Sequence, residues 1–172
     1  SRERLWQLRT TLRQRLVARV GRSQLAPKVM TVHGFCHSLV RRFGLEPDES
    51  GVVGQVKLLT APEQEFRVRE LLGGHDTSEW PTDLLNAVGT RAFAGEVRAV
   101  LARTRQLGMD PDEVVDAGQR AGCPEWQAIG DFFDDYLDVL DAEEALDYAE
   151  LVHRCRLLLL DETVRATLQR EL

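Results

Sequence analysis

The stretch DPDEVVDAGQRAG, residues 110–122, has the start and stop signals of one complete helix. Asp110 can cap the helix, a proline occupies the first helical position, and Glu113 stands third in the helix. Gly122 can end it in a left-handed conformation. The stretch TAPE at residues 60–63 repeats the same start signal. These local signals predict helices whose ends are encoded in the sequence itself.

Working outward, apolar residues recur every three to four positions along most of the chain, which is typical of amphipathic helices. In the helix predicted at residues 33–43, one face carries Phe35, Leu39 and Phe43, and Gly44 ends it. The pattern predicts about eight helices, so the expected fold class is mainly α, with one or two short strands. Two tryptophans are expected in the core rather than at a binding surface: Trp80 and Trp126.

One segment has the pattern of a strand. Residues 28–32, KVMTV, are short and β-branched and follow a proline. A single strand cannot satisfy its own backbone groups, so it pairs with a weak strand near residues 52–59 or with strands outside this chain. Residues 45–55, rich in glycine, proline and polar residues, mark a boundary between two structural units. The sequence ends within a predicted helix, so we expect a piece of a larger protein.

Composition excludes several classes of protein. The 172 residues are 43% hydrophobic and 29% charged, which is ordinary for a globular protein and too apolar for a disordered one. No apolar stretch is long enough to span a bilayer, and no signal peptide is visible. The three cysteines are odd in number and widely spaced, which argues against a disulfide framework. We therefore expect a cytoplasmic protein with no membrane association.

The net charge of −6 is distributed unevenly along the sequence. Residues 1–45 contain ten basic residues and one acidic residue, a net charge of +9. The remaining residues contain 12 basic and 27 acidic side chains, a net charge of −15. Because phosphate attraction is local and screened over about 10 Å, a basic segment on an acidic body can still contact nucleic acid. A solvated basic face, or one that pairs with the acidic half, is the alternative.

The motifs of nucleotide binding are missing. The sequence has neither G-x-x-x-x-G-K-[ST] nor G-x-G-x-x-G, so nothing in it is expected to hold a nucleotide phosphate. Residues 157–162, LLLLDE, imitate the strand end that binds Mg²⁺ in ATPases. Because this run continues a helical pattern that starts at Asp147, we interpret it as helix.

Two further clusters are better explained without catalysis. His33, Cys36 and His37 could face one metal ion, but no other Cys/His cluster supplies a fourth ligand. A core cysteine beside two histidines on a polar face is the preferred interpretation. Four acids of one helix are interpreted as a solvated face, since nothing apolar isolates one of them: Asp134, Asp135, Asp138 and Asp141.

Three segments carry a family resemblance. Residues 31–39, TVHGFCHSL, resemble the T-x-H-[GS]-[FL]-x-x-x-[LI] segment of UvrD/Rep/RecB-type superfamily 1A DNA helicases, which also follows a basic amphipathic helix. Residues 146–151, LDYAEL, resemble the hydrophobic-D-[FY]-x-x-[LM] segment that precedes Walker B in that family. Residues 58–64, LLTAPEQ, are similar to actinobacterial members of the AdnAB type. The resemblance covers nearly the whole chain in order and spacing.

The resemblance implies a specific part of a helicase. The chain would begin after Walker A and end before Walker B. Residues 1–45 would then belong to the RecA-like 1A subdomain as helix, strand and helix. Residues 46–146 would form an all-helical 1B-like subdomain, and residues 147–172 would return toward 1A. The parent would use ATP and Mg²⁺ to translocate on single-stranded DNA, usually 3′ to 5′, in repair or recombination. This segment would hold no cofactor or metal and catalyse nothing alone.

The resemblance also implies where DNA is contacted. Thr31 and His33 match positions that contact the single-strand backbone or support that contact, and Gly34 would let the DNA backbone approach. Arg41 and Arg42 would extend the basic track. Expected partners are single-stranded DNA or a single-strand/duplex junction, the rest of the helicase, and a second helicase-nuclease subunit. The alternative is a self-contained all-helical interaction or regulatory domain whose acidic half binds a basic protein.

Overall fold

The computed structural model describes residues 30–44, 56–75 and 80–171, together with Gln7, Thr10, Thr11, Gln14 and Arg15. These five N-terminal residues have helical backbone. The rest of the basic amphipathic helix predicted before residue 31, and the boundary predicted at residues 45–55, lie outside the described residues.

From Met30 onward, the described residues form eight helices and two short strands, so the prediction of a mainly α fold is confirmed. The helices are α1 (Val32–Phe43), α2 (Ala61–Gly74), α3 (Leu85–Val88), α4 (Arg91–Leu107), α5 (Pro111–Ala121), α6 (Pro124–Ala142), α7 (Tyr148–Leu160) and α8 (Glu162–Glu171). The strands are β1 (Lys57–Leu58) and β2 (Ala145–Leu146).

Both predicted capping boxes are confirmed. The backbone N–H of Thr60 donates to Glu63 Oε2 at 2.8 Å, and the backbone N–H of Asp110 donates to Glu113 Oε2 at 2.9 Å. The bond from the Thr60 N–H, followed by those from the Thr60 hydroxyl and Lys57, lowers the pKa of the Glu63 carboxyl to about 2. At the other end of α5, Gly122 has φ +67°, the left-handed conformation that glycine adopts without strain. Helix ends were predictable because these bonds join neighbours in sequence.

The two strands pair in parallel, with Lys57 opposite Ala145 and Leu58 opposite Leu146. The weak strand predicted near residues 52–59 is therefore present at its C-terminal end, but its partner differs from the predicted one. Of residues 28–32, Met30 and Thr31 belong to no strand and Val32 already opens α1, while the first two lie outside the described part. The helix starts early because Thr31 takes the extended cap conformation.

Two apolar cores lie on either side of this strand pair. The larger is built from α2 to α6, with Phe132, Tyr136 and Leu140 among its fully buried side chains. The smaller joins α1, α7 and α8 around Leu39 and Leu151. Adjacent strand residues alternate between the cores, because a strand directs successive side chains to opposite faces. The strand pair thus joins the two cores.

One core prediction was wrong, and the buried face of α1 differs from its predicted apolar face. Trp80 is buried as predicted, but Trp126 is 52% exposed at the start of α6. On α1 the buried face consists of Cys36, Leu39 and Val40, whereas Phe35 is 40% exposed. Periodicity identifies a face of a helix but not which face another element covers.

Helices α5 and α6 form a hairpin with very close backbones. An added Cβ at Gly130 of α6 would lie 2.5 Å from Val115 Cγ2 and 3.1 Å from the Pro111 carbonyl oxygen of α5. An added Cβ at Gly118 would lie 2.9 Å from the Gln127 nitrogen. The two glycines thus allow an approach that any side chain would prevent.

Across the residues that the structure describes, no helix has the length and hydropathy needed to cross a bilayer.

Candidate functional site

The turn before α1 places the predicted site residues at a helix N-terminus. Thr31 caps α1, because its Oγ1 accepts the Gly34 backbone N–H at 3.0 Å. An added Cβ at Gly34 would lie 3.2 Å from that Oγ1, so glycine leaves room for the cap. Thr31, His33 and Gly34 are all exposed, and the first turn of α1 contains no acidic residue. This turn is therefore open to an anionic ligand.

His33 contacts Tyr148, the first residue of α7. The two ring centroids lie 4.9 Å apart, with the planes at 86°, an edge-to-face arrangement. Tyr148 is 45% exposed, so much of its ring is open to a ligand. The sequence prediction included Tyr148 within residues 146–151 but assigned it no site. An aromatic residue directly after a helix cap was the signal that could have identified it.

Asp147, the cap of α7, is the centre of a buried hydrogen-bond network. Its Oδ1 accepts the Glu150 backbone N–H at 2.7 Å, and its Oδ2 accepts from Gln64 Nε2 at 2.7 Å and from the Tyr136 hydroxyl at 3.0 Å. Burial, followed by the charge of Asp147, raises the pKa of Tyr136, so its hydroxyl keeps the proton that it donates. Two of the segments that carried the family resemblance, residues 58–64 and 146–151, therefore meet in this network, and His33 of the third segment contacts Tyr148 beside it.

A cleft of about 410 Å³ lies at this meeting point. It is lined by side chains of α1, α2, α4 and α7, among them His33, Gln64, Gln106, Tyr148 and Arg156. The lining combines an exposed aromatic ring, two side-chain amides and an exposed guanidinium. Its volume is within the range of small-molecule sites.

Beneath the cleft lies a buried charged cluster. Arg105 Nε lies 2.7 Å from Glu150 Oε2, both side chains are at most 7% exposed, and the guanidinium also pairs with Asp110. His153 Nε2 lies 3.4 Å from Arg105 Nη1. Burial, and then the charge of Arg105, lower the pKa of His153, so it is neutral near pH 7. The charge of Arg105 is matched by acids, so among the described lining residues Arg156 is the cation exposed at the cleft.

Arg41 and Arg42 lie at the other end of α1 and do not line the cleft. Arg42 Nη1 donates to Glu171 Oε2 at 2.6 Å, and its guanidinium lies 4.6 Å from the Phe43 ring centre. This hydrogen bond to Glu171 raises the pKa of Arg42. Arg41 is exposed and makes no ion pair with a described residue. The structure thus separates the two arginines from Thr31, His33 and Gly34.

The other clusters take the structures predicted for them. Leu157–Leu160 are helical, and Asp161 Oδ1 accepts the Thr163 backbone N–H at 2.7 Å, so the LLLLDE run is no strand end. The acids of α6 are exposed, which confirms a solvated face. Cys36 is buried in the smaller core, whereas His33 is exposed. Among the described residues, no three His, Cys, Asp or Glu side chains are placed to hold a metal ion.

The cysteines should differ sharply in reactivity. Cys36 and Cys155 are each 3% exposed, and burial, together with the neighbouring Cys36 thiol, raises the pKa of Cys155 to about 12. Cys123 is only half-buried. Because the thiolate is the reactive species, we expect one fast thiol at pH 8 and two that react only after unfolding in urea. Titration with a chromogenic disulfide measures this.

A Cys123→Ser variant should lose the fast phase and keep the slow one. Two fast thiols in the folded wild-type chain would contradict the described burial of Cys36 and Cys155.

Comparison with known proteins finds one family that covers most of the chain. Residues 9–172 match the family described as UvrD/REP helicase N-terminal domain. No curated individual protein matches the chain. The matched range includes the T-x-H turn, residues 58–64 and the start of α7, and the cleft is lined by His33, Gln64 and Tyr148 of these segments. The chain therefore belongs to the UvrD/Rep helicase family, and its sequence falls in the N-terminal domain of that family.

Proposed function

We propose that this part of the helicase binds single-stranded DNA in the cleft between α1, α4 and α7. The observation that carries the proposal is the 4.9 Å contact between His33 and Tyr148, which joins the T-x-H turn to an exposed aromatic ring. A helix N-terminus binds phosphate, and an aromatic ring stacks on a base of any sequence. The cleft thus offers one partner to the phosphate and another to the base of a nucleotide.

Each residue has a separate role in this proposal. The first N–H groups of α1, those of Val32 and His33, have no acceptor within the helix and can donate to a phosphate oxygen. Thr31 Oγ1 already accepts the Gly34 N–H, which leaves its hydroxyl proton free to donate to the same phosphate. Tyr148 receives a base on its exposed ring. Arg156, exposed at the cleft, neutralises a neighbouring phosphate.

Among the predicted DNA-binding residues, Arg41 is less well placed to contact DNA than the residues at the cleft, and Arg42 is the least well placed. Arg41 is ten residues after Thr31, about 15 Å along α1, which is within reach of a further phosphate of an extended strand. Arg42 must first leave Glu171, to which it donates two hydrogen bonds. We therefore assign DNA contact to Arg41 and a structural ion pair to Arg42.

The finer assignments are part of the same proposal. The larger core, α2 to α6, would be the 1B-like subdomain of residues 46–146. The smaller core, α1 with α7 and α8, would be the flanking pieces of the RecA-like 1A subdomain, residues 1–45 and 147–172. The separation of the two cores supports this division. The AdnAB-like subtype rests on residues 58–64, and a second helicase-nuclease subunit would be its partner.

ATP and Mg²⁺ would be held by other parts of the helicase. The sequence has no G-x-x-x-x-G-K-[ST] loop, and the LLLLDE run is helical, so its residues do not fit a nucleotide or its metal. We infer that this segment is inactive alone and that the whole helicase translocates 3′ to 5′ in repair or recombination, in the cytoplasm.

Fluorescence anisotropy of a labelled oligothymidine, titrated with the 172-residue chain, tests DNA binding. Between 50 and 200 mM salt we expect the affinity to fall about tenfold, the value for two to three phosphate contacts. Tyr148→Ala should weaken binding by about tenfold, since stacking contributes roughly 1–3 kcal/mol per base. His33→Ala should weaken it in the same direction.

Trp126→Ala is the matched control. Trp126 is an aromatic residue of similar exposure, but it lies on α6 outside the cleft, so its removal should leave the affinity unchanged. Equal loss in the Tyr148 and Trp126 variants would contradict a specific cleft. No binding at 50 mM salt would contradict the proposal and favour the interaction-domain alternative, which a pull-down with basic proteins would then test.

A further inference from the structure

Gln64 lies at the point where the cleft meets the buried network. It is a half-buried residue of α2, lines the cleft, and donates from Nε2 to Asp147 Oδ2 at 2.7 Å. The parallel pairing of Leu58 with Leu146 brings the start of α2 beside the start of α7. The position of Gln64 is therefore fixed by the fold and not by its own helix alone.

We propose that Gln64 is a positioning residue for the DNA cleft, acting through Asp147 to hold the ring of Tyr148 against His33. The proposal rests on the proposed function, single-stranded DNA binding at this cleft. Gln64 thereby connects the larger core, which contains α2, to the DNA contact at the start of α7.

Asp147 is buried and depends on its hydrogen-bond donors. The residue is 5% exposed, and its carboxylate accepts three hydrogen bonds, from the Glu150 N–H, Gln64 and the Tyr136 hydroxyl. A buried carboxylate needs its donors, because the desolvation of an unpaired oxygen is costly. Of these donors, Gln64 is the one that also borders the cleft. Loss of Gln64 would let the carboxylate rotate toward solvent.

Asp147 in turn holds the backbone of Tyr148. The Oδ1 of Asp147 caps α7, and Tyr148 is the first residue of that helix, so rotation of the carboxylate frees the backbone that carries the tyrosine ring. The ring then loses its edge-to-face contact with His33. Gln64 thus affects DNA binding without touching DNA.

The two tyrosines of the sequence, Tyr136 and Tyr148, make this testable. Tyr136 bonds to Asp147 and Tyr148 follows it, so 3-fluorotyrosine labelling of the 172-residue chain gives two informative ¹⁹F signals, assigned with Tyr136→Phe and Tyr148→Phe. Tyr136 is buried and cannot touch DNA, whereas Tyr148 lines the cleft. Spectra without DNA report positioning, and anisotropy with oligothymidine reports binding.

In Gln64→Ala we expect both ¹⁹F signals to move in the free protein and the DNA affinity to fall about fivefold, the lower end of typical coupling between sites. Gln106→Ala is the matched control. Gln106 is a second glutamine that lines the cleft, but its side chain accepts a hydrogen bond from Arg103 and makes none to Asp147. Its loss should leave the Tyr136 signal in place.

In a Gln64→Glu variant, lowering the pH should restore the hydrogen bond to Asp147 and with it the ¹⁹F signals. If Gln64 only filled space, the signals would not recover in this way. At pH 8 the introduced carboxylate faces that of Asp147, and the Tyr136 and Tyr148 signals should be displaced. When two carboxylates share one site, the pKa of one is raised, so near pH 5 the introduced carboxyl is protonated and can donate to Asp147. The signals should then return toward those of the wild-type chain at the same pH. This variant also serves if Gln64→Ala does not fold.

The outcomes are distinct. Weaker DNA binding with both signals unmoved would mean that Gln64 contacts DNA directly, and would overturn the proposal. Unchanged binding with moved signals would overturn it as well. If the wild-type chain binds no DNA, the proposed function fails, while the spectra of the free protein still decide whether Gln64 holds Tyr148.

Discussion

Replacing Arg105 with methionine should lower the free energy of unfolding by about 3 kcal/mol, the cost of breaking a buried ion pair from one side. The Arg105 and Glu150 side chains are 7% and 5% exposed, and the guanidinium lies 4.9 Å from the Phe133 ring centre. Methionine preserves much of the packing but leaves Glu150 with Arg154 alone, whose Nε donates to Glu150 Oε1 at 2.8 Å. Urea denaturation monitored by circular dichroism measures the change.

Arg165→Met is the control for this prediction. Arg165 is half exposed and lies 3.7 Å from Glu162, so its loss should change stability by less than about 0.5 kcal/mol. The double variant Arg105→Met/Glu150→Gln should be more stable than Arg105→Met, because the uncompensated carboxylate is gone. If the double variant is the less stable of the two, destabilisation comes from lost packing and the ion-pair argument is wrong.

The helix ends were predictable because their chemistry is local. The Thr60–Glu63 and Asp110–Glu113 capping boxes join residues three positions apart. Any chain with these residue types at this spacing can form them. The strand pair was only half predictable. Each strand has two residues, too few for a pattern, and Leu58 and Leu146 are far apart in sequence.

The candidate site was predictable as a turn but not as a cleft. Residues 31–39 marked the T-x-H turn, whereas Gln64 and Tyr148 make contacts between α1, α2 and α7 that no local pattern encodes. The ion pair of Arg42 was not predictable for the same reason. Its partner Glu171 is 129 residues away, so the sequence showed an unpaired cation where the structure has an ion pair.

A glycine substitution in the α5–α6 hairpin should have the second large effect on stability. Gly130→Ala should destabilise the chain by about 2 kcal/mol, although alanine is the better helix former. The added methyl would lie 2.5 Å from Val115 Cγ2, 3.0 Å from the Val115 nitrogen and 3.1 Å from the Pro111 carbonyl oxygen. A side chain could rotate away, but two of these three atoms are backbone, so α5 itself must move off α6. Thermal and urea unfolding measure the loss.

Gly95→Ala separates this packing cost from helix propensity. Gly95 also lies inside a long helix, α4, but a Cβ there would meet nothing within 4 Å. The same substitution should therefore stabilise the chain by about 0.5–1 kcal/mol, since only the backbone entropy of glycine is removed. Opposite signs at the two positions are the expected result, because one glycine is required by a neighbouring backbone and the other is not. Stabilisation at both would mean that α5 and α6 can separate at little cost, and that their close approach is not what selects glycine at position 130.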